Sequence, residues 1–159
     1  MEQPGVEQPG VEHMVRELWD RDRIARVPRT YSRGIDRRDW DKVRSCFAAD
    51  AFVEGSRVTA PIDEYLTQLR SSVEYYGTTM HFMGNQLVEV DGDTGFVETY
   101  AVAFHWTGDP AGADDPENLV VGVRYQDTMA RSGDGWVIKH RHVDPDWRVG
   151  AYPGAAAAT

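Results

Sequence analysis

Met80–Trp106 reads MHFMGNQLVEVDGDTGFVETYAVAFHW, and this stretch decides the fold. Strand-forming residues flank Asp91-Gly92-Asp93 on both sides, the composition of a hairpin connector between two long strands. The pattern predicts strands over Met80–Val90 and Thr94–Trp106. Downstream, it predicts strands over Leu119–Arg131 and Trp136–Val143, joined by Ser132-Gly133-Asp134-Gly135. The link from Gly108 to Glu117 is rich in Asp, Pro and Gly and reads as a mobile rim loop. Ala51–Glu54 and Arg57–Thr59 suit a short additional hairpin.

The second long strand is apolar on both sides, with Phe96, Tyr100, Val102 and Phe104 on one face and Val97, Ala101 and Ala103 on the other. A half-solvated strand alternates cleanly, so both faces should be covered. Helices can cover one. A second copy of the chain is expected on the other, giving a homodimer or homotrimer.

Upstream of the strands the chain reads as helical. Ile24, Val27, Tyr31 and Ile35 recur at helical spacing. Pro28 interrupts that stripe and should kink the helix or mark its first turn. A second helix is expected from the N-cap Asp39 to about Phe47. A third should start after Pro61, carry Ile62, Tyr65, Leu66 and Leu69 on one side, and end near Gly77. Helices followed by long antiparallel strands place the chain in the α+β class. Residues 2–11, EQPGVEQPGV, write one five-residue unit twice and read as part of a flexible tail over 1–13. One domain is expected over 14–148, with a flexible, alanine-ended tail over 149–159.

Bulk properties exclude several classes. A chain of 159 residues suits one domain with a real core. Its net charge of -9 repels phosphate backbones, so no nucleic-acid partner is expected. There is no apolar run long enough to span a bilayer and no basic-then-apolar N-terminal segment. With Cys46 as the single cysteine, the expectation is a cytoplasmic protein without disulfides. Cys46 itself reads as a small buried apolar residue. The glycines fall in turns rather than in a phosphate loop or dinucleotide fingerprint, and no Gly-x-Ser-x-Gly elbow occurs. No cofactor is therefore expected.

The candidate chemistry sits elsewhere. His81, in the first long strand, would share a face with Met83, Asn85 and Leu87; it reads either as a satisfied core histidine or as a base suited to neutral pH. Asp36 ends the first helix, where the dipole disfavours a carboxylate. It reads either as a solvated turn residue or as the partner that orients and stabilises His81. Tyr31 is a core aromatic or a hydroxyl donor to a substrate oxygen. His140, His142 and Asp144 share a strand face, where His-x-His can chelate a metal but would require a third ligand such as His105 or Asp127; no wider ligand pattern supports it and no metal is expected. Lys139 and Arg141 would share the opposite face, where Arg141 could bind a carboxylate or oxyanion.

Tyr31-Ser-Arg-Gly-Ile-Asp36-Arg-Arg-Asp39-Trp40-Asp-Lys-Val, Thr79-Met-His81-Phe-Met-Gly-Asn85, and Asp134-Gly-Trp-Val-Ile138 resemble, in order and spacing, the SnoaL-like branch of the nuclear transport factor 2-like superfamily. The resemblance covers roughly residues 18–148. It is nearest to small cofactor-free lyases: scytalone dehydratase, bile acid 7α-dehydratase and hexachlorocyclohexane dehydrochlorinase. It implies an α+β barrel, a cone-shaped curved sheet of mixed or antiparallel strands around about three N-terminal helices. It maps a catalytic His–Asp dyad onto His81 and Asp36, a tyrosine onto Tyr31, and a last-strand arginine onto Arg141. An acidic pocket residue of the bile acid enzyme would fall near Ala101–Ala103, where this chain has none.

The function this implies is dehydration, isomerisation or cyclisation of an apolar, polycyclic, polyketide, terpenoid or steroid-like molecule. Tyr100, Phe104, Asn85, Trp40 and Arg141 are the expected substrate contacts, with Met80, Phe82, Met83 and Trp106 in the same pool. The alternative is a noncatalytic binding or structural domain, such as a dioxygenase β-subunit-like scaffold.

Overall fold

A computed structural model of the protein describes residues 10–108 and 117–152. Most of the rim loop and of both tails falls outside the described residues. The elements are α1 (Val11–Asp36), α2 (Trp40–Ser45), β1 (Phe47–Glu54), β2 (Thr59–Pro61), α3 (Ile62–Glu74), β3 (Thr78–Asp91), β4 (Thr94–Trp106), β5 (Leu119–Ser132) and β6 (Gly135–Val149). Helix α1 thus begins inside the segment read as tail, and Pro28 lies within it. Arg29 and Gln86 side chains donate to the Ala25 carbonyl one turn before Pro28, at 2.8 and 3.1 Å. Asp39 caps α2 by accepting from the Lys42 amide at 3.1 Å.

Six strands form one mixed sheet in the order β2-β1-β6-β5-β4-β3. All pairs are antiparallel except β1 with β6. The expected hairpins close at Gly92 and Gly133, with φ of +58° and +57°, a backbone that glycine adopts without a Cβ clash. Register shifts interrupt the ladders at Met83/Gln86 in β3 and, in the β5–β6 pair, at Gly122/Val123 and Thr128/Met129. Each places an extra residue in one strand, bends it and raises its twist. The sheet therefore curls, and α1 lies in its concave face, burying Ile24, Val27, Tyr31 and Ile35. Gly34 lets α2 fold back against α1, because a Cβ there would stand 2.7 Å from Val43 Cγ2.

The bulges also correct the strand-face expectations. Between Met83 and Gln86 the inward parity changes, so Asn85 and Leu87 turn outward while Gln86, Val88 and Val90 turn in. At the Thr128/Met129 shift the extra residue is Lys139 of β6, which leaves the Arg141 face and pairs with Asp50 outside. On β4 the inner face is the one with Val97, Ala101 and Ala103, all buried. Tyr100, Val102, Phe104 and Trp106 lie on the convex face. Among the described residues, no helix is long and apolar enough to cross a membrane.

Candidate active site

A cavity of about 530 Å³ opens between the concave sheet, α1 and α3. The small side chain of Ala103 leaves room beside His81, and Leu119, Val121 and Val123 supply an apolar wall from β5. His81, at the start of β3, lines this space with its side chain 6% exposed.

Asp36, the last residue of α1, reaches across to it. The His81 ring Nδ1 lies 2.7 Å from Asp36 Oδ1, and the His81 backbone amide donates to Oδ2 at 2.9 Å. The Thr79 hydroxyl donates to Oδ1 at 3.1 Å. Burial by itself would raise the Asp36 carboxyl; the His81 ring bond, the attraction to the ring in its protonated form and the Thr79 and backbone bonds outweigh it and hold the carboxyl below its ordinary value. These bonds offset the unfavourable helix end that the sequence pointed to. With Nδ1 committed to the carboxylate, Nε2 is the nitrogen left for a substrate.

A second layer fixes this arrangement. Arg38 donates to Thr79 Oγ1 at 2.8 Å and to the Ile35 carbonyl at 3.0 Å through Nη1. Through Nη2 it reaches the carbonyls of Tyr76 at 3.1 Å and Val73 at 3.3 Å. One guanidinium thus ties the ends of α1 and α3 to β3. Arg38 has φ +57°, a left-handed backbone that costs a non-glycine residue about 1–2 kcal/mol, and its four hydrogen bonds hold it there.

His105 lies edge-on to His81, ring centroids 5.7 Å apart. Burial, then the charge of His81, pushes its pKa down to about 4, so it is neutral near pH 7. Its Nδ1–H then donates to the Leu119 carbonyl at 3.2 Å. The Tyr76 ring packs on His105 at 4.9 Å. The buried Tyr76 hydroxyl has no hydrogen-bond partner among the described residues, and burial pushes its pKa up to about 12. Tyr31, Tyr65 and Tyr125 also line the cavity, and burial raises all three above the ordinary phenol value. They keep their protons, so they can give or accept hydrogen bonds but do not act as bases.

The structure thus brings Tyr31 and His81 to one cavity, with Asp36 bonded to His81 behind the cavity lining, and leaves the other expected contacts elsewhere. Tyr100, Phe104 and Asn85 are on the convex side; Phe104 stacks on Trp106 at 5.4 Å instead. Met80 and Phe82 are exposed there too, and Met83 packs against the Tyr76–Val121 cluster. Trp40 lies on α2 beneath the Arg70 guanidinium at 5.7 Å, away from the cavity. Arg141 is fully buried behind the cavity wall: both of its bonds to Asp127 measure 2.7 Å, and its guanidinium sits 4.2 Å from the Tyr31 ring centre and 4.6 Å from that of Tyr125. The carboxylate it binds is the protein's own. His140 and His142 share the convex face, contacting Glu54 at 3.0 and 3.2 Å, while Asp144 pairs with Arg124; His105 and Asp127 point the other way. Cys46 is buried, which pushes its thiol up to about 11.

Sequence reasoning considered His105 only as a possible metal ligand and gave no role to Tyr76, Thr79 or Arg38. One usable signal was present: Ala101 and Ala103 put two small residues on the face that ends in His105, which is what a strand lining an open space needs.

Residues 16–142 match the SnoaL-like domain family. An uncharacterized protein of Mycobacterium tuberculosis is 31% identical over 137 residues, covering 80% of this chain and 86% of its own length. Among solved structures, a Novosphingobium aromaticivorans protein assigned as a scytalone dehydratase superposes with TM-score 0.74 at 17% identity, covering 91% of this chain and 99% of that one. A type 2 hexachlorocyclohexane dehydrochlorinase superposes with TM-score 0.71 at 16% identity, covering 90% and 99%. At such identities the two structures establish the fold.

Proposed function

This chain belongs to the SnoaL-like domain family, and we propose that it is a cofactor-free acid–base enzyme, a dehydratase, isomerase or cyclase of an apolar polycyclic, polyketide, terpenoid or steroid-like molecule. The observation that carries the reading is the His81 imidazole, clamped by Asp36 through Nδ1 and its own backbone amide, on the wall of an apolar cavity.

His81 Nε2 takes a proton from carbon next to an activating carbonyl. Asp36 balances the imidazolium that forms. The resulting enolate oxygen receives a hydrogen bond from Tyr31 or from the unpartnered Tyr76 hydroxyl, both kept protonated by burial. In a β-hydroxy carbonyl substrate the C–O bond then breaks as the enolate returns to a carbonyl, and the leaving hydroxide takes the proton held on the His81 imidazolium and departs as water, which restores neutral His81. Without a leaving group, the same enolate is reprotonated at another carbon or attacks an internal carbonyl. General base catalysis of this kind contributes about 10²–10⁴-fold.

The convex face, with Met80, Phe82, Tyr100 and Trp147 exposed, is the surface assigned to a second copy of the chain; a monomer by light scattering at micromolar concentration removes that part of the reading.

The function is tested by incubating the protein in deuterated water with a panel of polycyclic ketones and β-hydroxy ketones and reading mass spectra. Deuterium uptake or water loss in at least one compound, absent with His81→Ala, is expected. Equal turnover by both proteins rejects it, and no reaction across the panel favours a noncatalytic binding domain.

A further inference from the structure

Among the described residues that line the cavity, one formally charged side chain stands beside the titratable histidines: the exposed Arg57. This is unexpected in a chain of net charge -9. Arg57 lies in the turn between β1 and β2, and His81 comes from β3, at the other edge of the sheet. The curl of the sheet brings both edges to the same space.

The local packing is built around Tyr152. After β6, Gly150 turns the chain with φ +90°, where an added Cβ would stand 2.0 Å from the Asn118 carbonyl oxygen; only glycine permits that reversal. The turn brings Tyr152 back onto the cavity and against the Tyr76–Val121 cluster. The Arg57 guanidinium lies 5.0 Å from the Tyr152 ring centre, and that of Arg148 lies 5.5 Å from it. The one aromatic ring thus contacts both guanidinium groups. Neither forms an ion pair among the described residues, whereas Arg44, Arg124, Arg131 and Arg141 each do. The nearby Glu117 carboxylate accepts from the Tyr75 hydroxyl at 3.0 Å. Ser56 lines the cavity next to Arg57 and adds a hydroxyl. Two guanidinium groups on one aromatic ring, neither ion-paired among the described residues, at the edge of an apolar space, suit an anion.

We propose that the substrate is an amphiphilic acid: its apolar body lies against the β5 wall of the cavity, and its carboxylate is held by Arg57, with Arg148 adding to the field. This rests on the reading of the cavity as the substrate site. It narrows that reading, because an acid gains a charge-assisted bond to Arg57 that a neutral polycycle cannot make. It also orients the substrate, since the carboxylate end is fixed on the β1–β2 side and the reacting carbon is presented to β3.

The test uses 1-pyrenebutyrate and its neutral methyl ester, which differ only in the charged group, with affinities read by fluorescence titration. The native protein should bind the acid about tenfold more tightly than the ester, a difference of about 1.4 kcal/mol. Arg57→Gln should bring the acid to the ester's level while moving the ester by no more than about twofold, and Arg57→Lys should keep most of the preference. Arg57 is exposed, so these variants should fold. Equal affinity for acid and ester in the native protein overturns the proposal, as does an equal loss of both in Arg57→Gln. Binding of the ester alone leaves the cavity reading intact and removes only this inference; binding of neither removes both.

Discussion

Asp36 contacts His81 with both carboxylate oxygens, one at the ring Nδ1 at 2.7 Å and the other at the backbone amide at 2.9 Å. The second bond matters as much as the first. A carboxylate anchored to the same residue's backbone cannot swing away from the imidazole without losing a charge-assisted bond, so the tautomer and the ring direction are set before a substrate arrives.

The Arg38–Thr79 layer should be felt through Asp36. Thr79→Val keeps the volume and deletes the hydroxyl that donates to Oδ1. We expect kcat to fall about tenfold to a hundredfold with KM little changed, the cost of a slightly misplaced base. Since that hydrogen bond helps to depress the Asp36 carboxyl, the acid limb of kcat/KM should also move to higher pH. A rate loss with no movement of that limb would assign Thr79 to packing alone.

His105 makes stability depend on pH. Its pKa is about 4 in the folded chain against an ordinary 6.5, so the unfolded chain binds the proton first as pH falls. The stability it contributes is complete above the ordinary value and is lost as pH drops toward 4, by up to about 3 kcal/mol. Urea unfolding of His105→Gln should show a correspondingly shallower loss between neutral pH and pH 4. Parallel curves for the two proteins would place His105 in contact with water.

Arg141 is predicted to hold the fold rather than the substrate. Its guanidinium and the Asp127 carboxylate are both 0% exposed, so removing one partner leaves a buried charge. Arg141→Met should lower stability by about 3–5 kcal/mol, and adding Asp127→Leu should recover a substantial part of it. A double variant as unstable as the sum of the singles would contradict this, as would an Arg141→Met protein that folds normally.

Much of this was legible in the sequence, and the reasons differ by residue. The hairpins at Gly92 and Gly133 and the cap at Asp39 are local, so residue type alone sufficed. Asp36 was suspected because a carboxylate at a helix end had no local job. Long-range parity was not legible. The extra residues at Met83/Gln86 and Lys139 leave no mark in the apolar pattern, yet they send Asn85 and Lys139 outward. Tyr100 and Phe104 are expected substrate contacts in the sequence, although the concave face belongs to Ala101 and Ala103, whose smallness is what leaves the cavity open. The partner of Arg141 lies 14 residues away on β5, and only the strand register reveals it.

The most direct measurement compares turnover by the native protein, His81→Ala and Asp36→Asn on one reactive compound from the ketone panel, alongside their thermal midpoints. The account predicts a loss of at least about 10²-fold in both variants, with midpoints close to the native one. Native-like turnover in His81→Ala, or rate losses that merely follow unfolding, would contradict it.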